Sequence, residues 1–249
     1  RAERFEDALA ALEQAGEAVL PNRRHQLRGM LLDRLGHYDE AFAEFEAMNA
    51  CHRDEPSQPL EKARAYRENV EKDAALVSAS WLAGWTPAPP RDRPSPVFLL
   101  GFPRSGTTLT EQILSTLPNM VSLEEAPTLV HLNHYLEAGR LDELLSLSDR
   151  QIDALRAEYW AKVAEAGAEV TGKTFIDMDP LKGAALPAIA RLFPDAKVIV
   201  MHRDPRDVVW SCFRHSFVYS PATCEFTSLE RAARHYDAVM TVLRLCLTR

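Results

Sequence analysis

The segment that most constrains this chain is a short apolar run, Val97-Phe98-Leu99-Leu100, followed by Gly101-Phe102-Pro103-Arg104-Ser105-Gly106-Thr107-Thr108 and then a helical pattern with Leu109, Ile113 and Leu117 on one face. In frame the middle part reads G-x-x-x-x-G-T-T. That is the glycine spacing of a phosphate-cradling P-loop, with Thr107 where a nucleoside-triphosphatase has its lysine. Backbone N–H groups of such a loop, backed by the positive end of the helix dipole, point at an anion. A tight strand-to-helix turn also needs glycines, but it gains nothing from a guanidinium in its middle, and Arg104 sits there. Any anion has to be held by such a local site, because 29 basic and 36 acidic residues leave a net charge of −7 and no global positive field for nucleic acid.

Elements beyond the loop keep alternating. Thr174-Phe175-Ile176 reads as a short strand, Leu186 to Phe193 as a helix, and Lys197-Val198-Ile199-Val200-Met201 as a stronger strand. Alternation of this kind predicts an α/β domain of three layers, a parallel sheet covered on both faces. Thr227-Ser228-Leu229-Glu230 has capping-box spacing ahead of an amphipathic helix carrying Leu229, Ala233, Tyr236, Met240 and Leu243. Upstream, residues 86–96 hold five of the sixteen prolines and read as an extended boundary segment. The division expected is therefore 1–85, all-α; 86–96, linker; and 97–249, the P-loop domain.

The N-terminal part repeats itself. Phe5, Ala8 and Leu12 match Tyr38, Ala41 and Phe45 at an offset of 33 residues. Each set forms one helix face, with a small alanine that admits a close neighbour. The period is similar to the tetratricopeptide repeat of about 34 residues, so this segment resembles the end of a tetratricopeptide array; a plain alanine-rich helical bundle is the alternative. Such repeats imply a protein partner. Position 1 is arginine and no leader pattern is visible, so the chain is expected to begin inside a longer polypeptide or after processing. Ala74–Pro90, the longest stretch without a charge, is too short and too broken to span a bilayer. Cys51, Cys212, Cys224 and Cys246 make no zinc or C-x-x-C spacing and suit free thiols in a reducing, cytoplasmic compartment.

A second motif gives the loop its context. Val198-Ile199-Val200-Met201-His202-Arg203 is a strand running out into an arginine, and a serine, Ser211, follows eight residues later. Together with Pro103-Arg104-Ser105-Gly106-Thr107-Thr108, this resembles the sulfotransferases that use 3′-phosphoadenosine 5′-phosphosulfate (PAPS). The likeness extends to tyrosylprotein sulfotransferases and to bacterial proteins that join tetratricopeptide repeats to a sulfotransferase domain, which implies a bacterial cytosol. The resemblance implies that Arg104, Ser105, Gly106, Thr107 and Thr108 hold the 5′-phosphosulfate and that Arg203 and Ser211 hold the 3′-phosphate. Glu125, second of a Glu-Glu pair after the loop helix, becomes the base that takes the acceptor's proton. The acceptor is any hydroxyl-bearing molecule, whether peptide, glycan or small phenol, and no metal is required. The domain is expected to be incomplete at its C-terminus, because family members continue past the last helix.

One position departs from the family pattern. Asp177-Met178-Asp179-Pro180 places Met178 where the family has the lysine that offsets charge on the leaving oxygen. Lys182, four residues on, is the candidate replacement, and Lys173 a second. Two other readings stand beside the sulfotransferase: a nucleotide-binding adaptor that has lost activity, favoured by Met178, and a P-loop kinase or nucleoside-triphosphatase. The last is opposed by Thr107 in place of lysine and by Arg203 where a magnesium-binding aspartate is expected, although Asp204 is adjacent.

Overall fold

The computed structural model describes residues 4–51, 57–77, 94–136 and 139–247. Most of the proline-rich segment, together with Trp81 and Trp85, lies outside these described residues. Among the described residues the α-helices of seven residues or more are α1 (Phe5–Ala15), α2 (Pro21–Leu35), α3 (Tyr38–Ala50), α4 (Pro59–Leu76), α5 (Thr107–Leu114), α6 (Asp149–Glu165), α7 (Leu186–Leu192), α8 (Pro205–Phe213) and α9 (Leu229–Leu247). The strands among the described residues are β1 (Val97–Leu100), β2 (Met120–Glu124), β3 (Thr174–Met178) and β4 (Lys197–Val200). Contacts group the chain into two compact units, Arg1–Tyr66 with Pro205–His235, and Arg67–Asp204 with Tyr236–Arg249.

In the first unit, α2 begins on Pro21, whose ring presets the helical φ, and ends on Gly36 in the left-handed region at φ 82°. The N–H of His37 then bonds the carbonyl of Leu32 at 3.0 Å, so the chain reverses within two residues and α3 returns along α2. At Gly29 the two helices approach closely, since a Cβ there would lie 2.7 Å from the Phe45 ring. Both copies of the repeated pattern are helical and start at equivalent positions, Phe5 and Tyr38. Ala41 and Phe45 are buried, whereas Tyr38 of the same expected face is exposed. Helix α8 shares this core: Trp210 stacks on Phe42 at 6.1 Å between ring centroids and meets Phe45 edge-on at 5.8 Å, and the Asn49 amide donates to the Phe213 carbonyl at 2.9 Å.

The second unit holds a four-stranded, wholly parallel sheet in the order β2-β3-β1-β4. Its strands alternate faces, as a period of two requires. Phe98 turns toward Tyr159 of α6 and Phe193, each 6.0 Å away between ring centroids. Leu99, Ile176 and Met178 turn the other way and pack with Leu114 of α5. Helices therefore cover both faces, and the α/β class with a helical N-terminal segment is as expected. From β1 the chain crosses to β2 beyond β3, and from β3 it crosses to β4 on the other side of β1. That reversal of direction is the topology at which open α/β sheets place a crevice at the carboxyl ends of their strands.

Several local readings change. Strand β3 continues two residues past Ile176, and β2 and α6 were not anticipated. The stripe expected to seat the loop helix points outward: Leu109 is 64% and Ile113 60% exposed, while Thr107 is buried and Leu114 joins the apolar cluster.

Candidate active site

Because all four strands are parallel, the segments leaving Leu100, Glu124, Met178 and Val200 emerge at one edge of the sheet. The glycine loop is the first of these. Gly106 caps α5 with φ 106°, and Arg104 holds φ 71°, a conformation costly for a residue with a Cβ. A Cβ on Gly101 would meet the Ser105 hydroxyl at 2.8 Å and the Met201 carbonyl at 2.9 Å, so only glycine lets the loop approach the neighbouring strand so closely. The ring of Phe102 is pinned by Tyr236 at 5.1 Å between centroids. Ser105 is 7% exposed, and among the described residues its Oγ has no hydrogen-bond partner. A buried hydroxyl is rarely left so. An orphaned donor inside a loop of backbone N–H groups suits a phosphosulfate oxygen, and the residues present fit such a group.

Arg203 lies three residues beyond β4 rather than at its end, exposed at the same edge. Its Nη1 donates to the Arg104 carbonyl at 3.3 Å, which brings the two motif arginines together. Ser211 sits on α8 in the other compact unit and is half-buried there. Thr107 is buried at the start of α5, and Thr108 beside it is exposed.

Glu125 follows the last residue of β2 directly. It starts no helix; it turns the chain with φ 50°, its side chain exposed and its N–H bonded to the Met178 carbonyl at 2.8 Å. Met178 is fully buried in the cluster under α5. Lys182, on the 3-10 turn Pro180–Ala185, is buried, and its ammonium reaches Asp177 Oδ1 at 2.6 Å, Thr128 Oγ1 at 2.8 Å and the Ala126 carbonyl at 2.9 Å. Asp177 also accepts from the Thr128 hydroxyl at 2.6 Å and the Tyr159 hydroxyl at 2.9 Å. Burial, reinforced by that carboxylate, pushes the Tyr159 phenol well above its ordinary value. Thr128 and Tyr159 lie 49 and 18 residues from Asp177 and carried no signal that sequence reading could use.

Asp179 caps the same turn by accepting the Leu181 N–H at 2.8 Å. Burial raises its carboxyl to about 6 against the opposing pull of Lys182, with Asp177 and Glu125 adding repulsion. The folded protein thus binds more protons than the unfolded chain between pH 4 and 6, so stability from this group is present below pH 4 and is lost as pH rises through about 6. Asp179→Asn is expected to remove that slope, which is worth roughly 2–3 kcal/mol. Tm measured across this range should flatten in the variant, and an unchanged slope would refute the assignment.

Among the described residues no cluster of three or more His, Cys, Asp or Glu side chains could hold a metal ion, and no helix is long and apolar enough to cross a membrane. The four cysteines are free.

The family model described as the sulfotransferase family matches residues 96–247. Protein-tyrosine sulfotransferase 1 of Homo sapiens is 33% identical over 180 residues, covering 66% of this chain and 45% of the human protein. A putative protein-tyrosine sulfotransferase of Caenorhabditis briggsae is 32% identical over 121 residues, 46% of this chain and 41% of its own length. An uncharacterized protein of Aquifex aeolicus is 29% identical over 148 residues, 55% of this chain and 19% of its own. The chain thus spans less than half the length of each of these curated relatives. No solved structure gives a significant match.

Proposed function

We propose, because this chain belongs to the sulfotransferase family, that it moves a sulfuryl group from PAPS to an acceptor hydroxyl. The observation that carries this reading is the orphaned Ser105 hydroxyl inside the glycine loop, beside the paired backbone of Arg104 and side chain of Arg203. When bound, the donor supplies a sulfuryl group whose sulfur–oxygen bond to the 5′-phosphate breaks as the acceptor oxygen bonds to sulfur. Arg104, Ser105, Gly106, Thr107 and Thr108 hold the phosphosulfate, their N–H groups and guanidinium stabilising the charge that grows on it. Arg203 and Ser211 take the 3′-phosphate, an assignment supported by their eight-residue spacing. The carboxylate of Glu125 receives the acceptor's proton. A protein tyrosine is the acceptor favoured by the names of the human and nematode relatives, and the helical hairpin of α2 and α3 offers a tetratricopeptide-like surface for a protein partner.

Met178 favours a second reading, an adaptor that binds the nucleotide without transferring sulfate. Calorimetric titration of the protein with 3′-phosphoadenosine 5′-phosphate (PAP), ATP and GTP, alongside transfer of labelled sulfate to a tyrosine peptide, tests both. Tight binding of PAP with transfer is expected. Tight binding without transfer selects the adaptor, and preference for a triphosphate rejects both in favour of a kinase or triphosphatase.

A further inference from the structure

Resting on the reading of Glu125 as the base, we propose that Lys182 is a positioning residue that holds the Glu125 turn in place, rather than the cation that meets the leaving oxygen. An ammonium has three N–H donors, and those of Lys182 are matched by Asp177, Thr128 and Ala126 at hydrogen-bonding distance; Asp179 Oδ2 lies at 3.7 Å. Two of the three partners, Ala126 and Thr128, stand one and three residues after Glu125. Glu125 itself keeps a backbone angle unfavourable for a residue with a Cβ. Such a conformation persists when its neighbours over-determine it. Here the Glu125 N–H is tied to the end of β3, and the next carbonyl is tied to Lys182. Asp177 anchors the assembly, fully buried and accepting from Lys182, Thr128 and Tyr159. The lysine charge is thereby spent on a buried carboxylate on the α6 side of β3, whereas Met178, at the position of the family lysine, faces α5.

The arrangement separates positioning from direct charge. Lys182→Met alone would strand the Asp177 carboxylate, so the charge pair is removed together as Lys182→Met/Asp177→Asn. Thr128→Val keeps the Lys182–Asp177 pair and the Lys182 bond to the Ala126 carbonyl but removes the hydroxyl that joins both members of the pair to the turn. In the full chain, both are expected to speed amide hydrogen exchange over Glu125–Leu129 at least tenfold, with α5 unchanged. They should lower kcat for sulfuryl transfer at least tenfold and leave the Kd for PAP within twofold, while Thr128→Ser behaves as the parent. Exchange at parental rates in both variants overturns the proposal. So does an inactive double variant whose exchange over Glu125–Leu129 stays parental, which gives Lys182 the direct role. If the parent transfers no sulfate, the fault lies with the proposed function, and the exchange arm decides the positioning role by itself.

Discussion

Glu125→Gln is expected to lower sulfuryl transfer by about 10²–10⁴-fold, the range that a positioned general base contributes. Affinity for PAP should stay within twofold, because the carboxylate sits on the turn after β2 and not in the glycine loop. Glutamine keeps the size and the backbone conformation, so the φ of 50° at this position is no worse served by the amide. Single-turnover kinetics with preloaded donor isolate the chemical step from product release. Because the side chain is exposed, its loss should leave Tm nearly unchanged, which distinguishes this effect from damage to the turn. A Glu125→Gln protein with parental single-turnover rates would mean that another group takes the proton.

Arg104→Ala and Arg203→Ala should each weaken PAP binding by roughly 10–100-fold, the worth of a hydrogen bond to a charged group of about 1.5–3 kcal/mol. The two are distinguishable by ligand. Adenosine 5′-phosphosulfate lacks the 3′-phosphate, so its affinity should fall with Arg104→Ala and survive Arg203→Ala. Some coupling is also expected: Arg203→Ala removes the bond to the Arg104 backbone carbonyl, which Arg104→Ala keeps, so loss of Arg203 also loosens the loop that carries Arg104. Calorimetry with both ligands on the two single variants and the double variant measures that coupling. Equal losses for both ligands in Arg203→Ala would refute its assignment to the 3′-phosphate.

Much of the glycine loop was legible in order along the chain. Four apolar residues, a G-x-x-x-x-G turn and a helical run specify strand, loop and helix because each depends on backbone angles set within a few residues; β1 covers the four apolar residues, while α5 begins at Thr107, inside the segment read as loop, and ends at Leu114, short of Leu117. Alternation of strands with helices likewise implied the parallel sheet, since a crossover is needed to bring parallel strands together. Other decisions needed atoms far apart in the chain. The outward face of α5, the burial of Met178 and the shared core of α8 with α2 and α3 follow from which surface each element meets, and a periodic pattern records only that some face is apolar. Lys182 shows the difference most directly. By spacing it is a charge four residues from an expected lysine, and only the folded chain brings Ala126 and Thr128, 56 and 54 residues away, to its ammonium. Hydrogen bonds of that range are settled by packing, because nothing local to Lys182 limits where its long side chain ends.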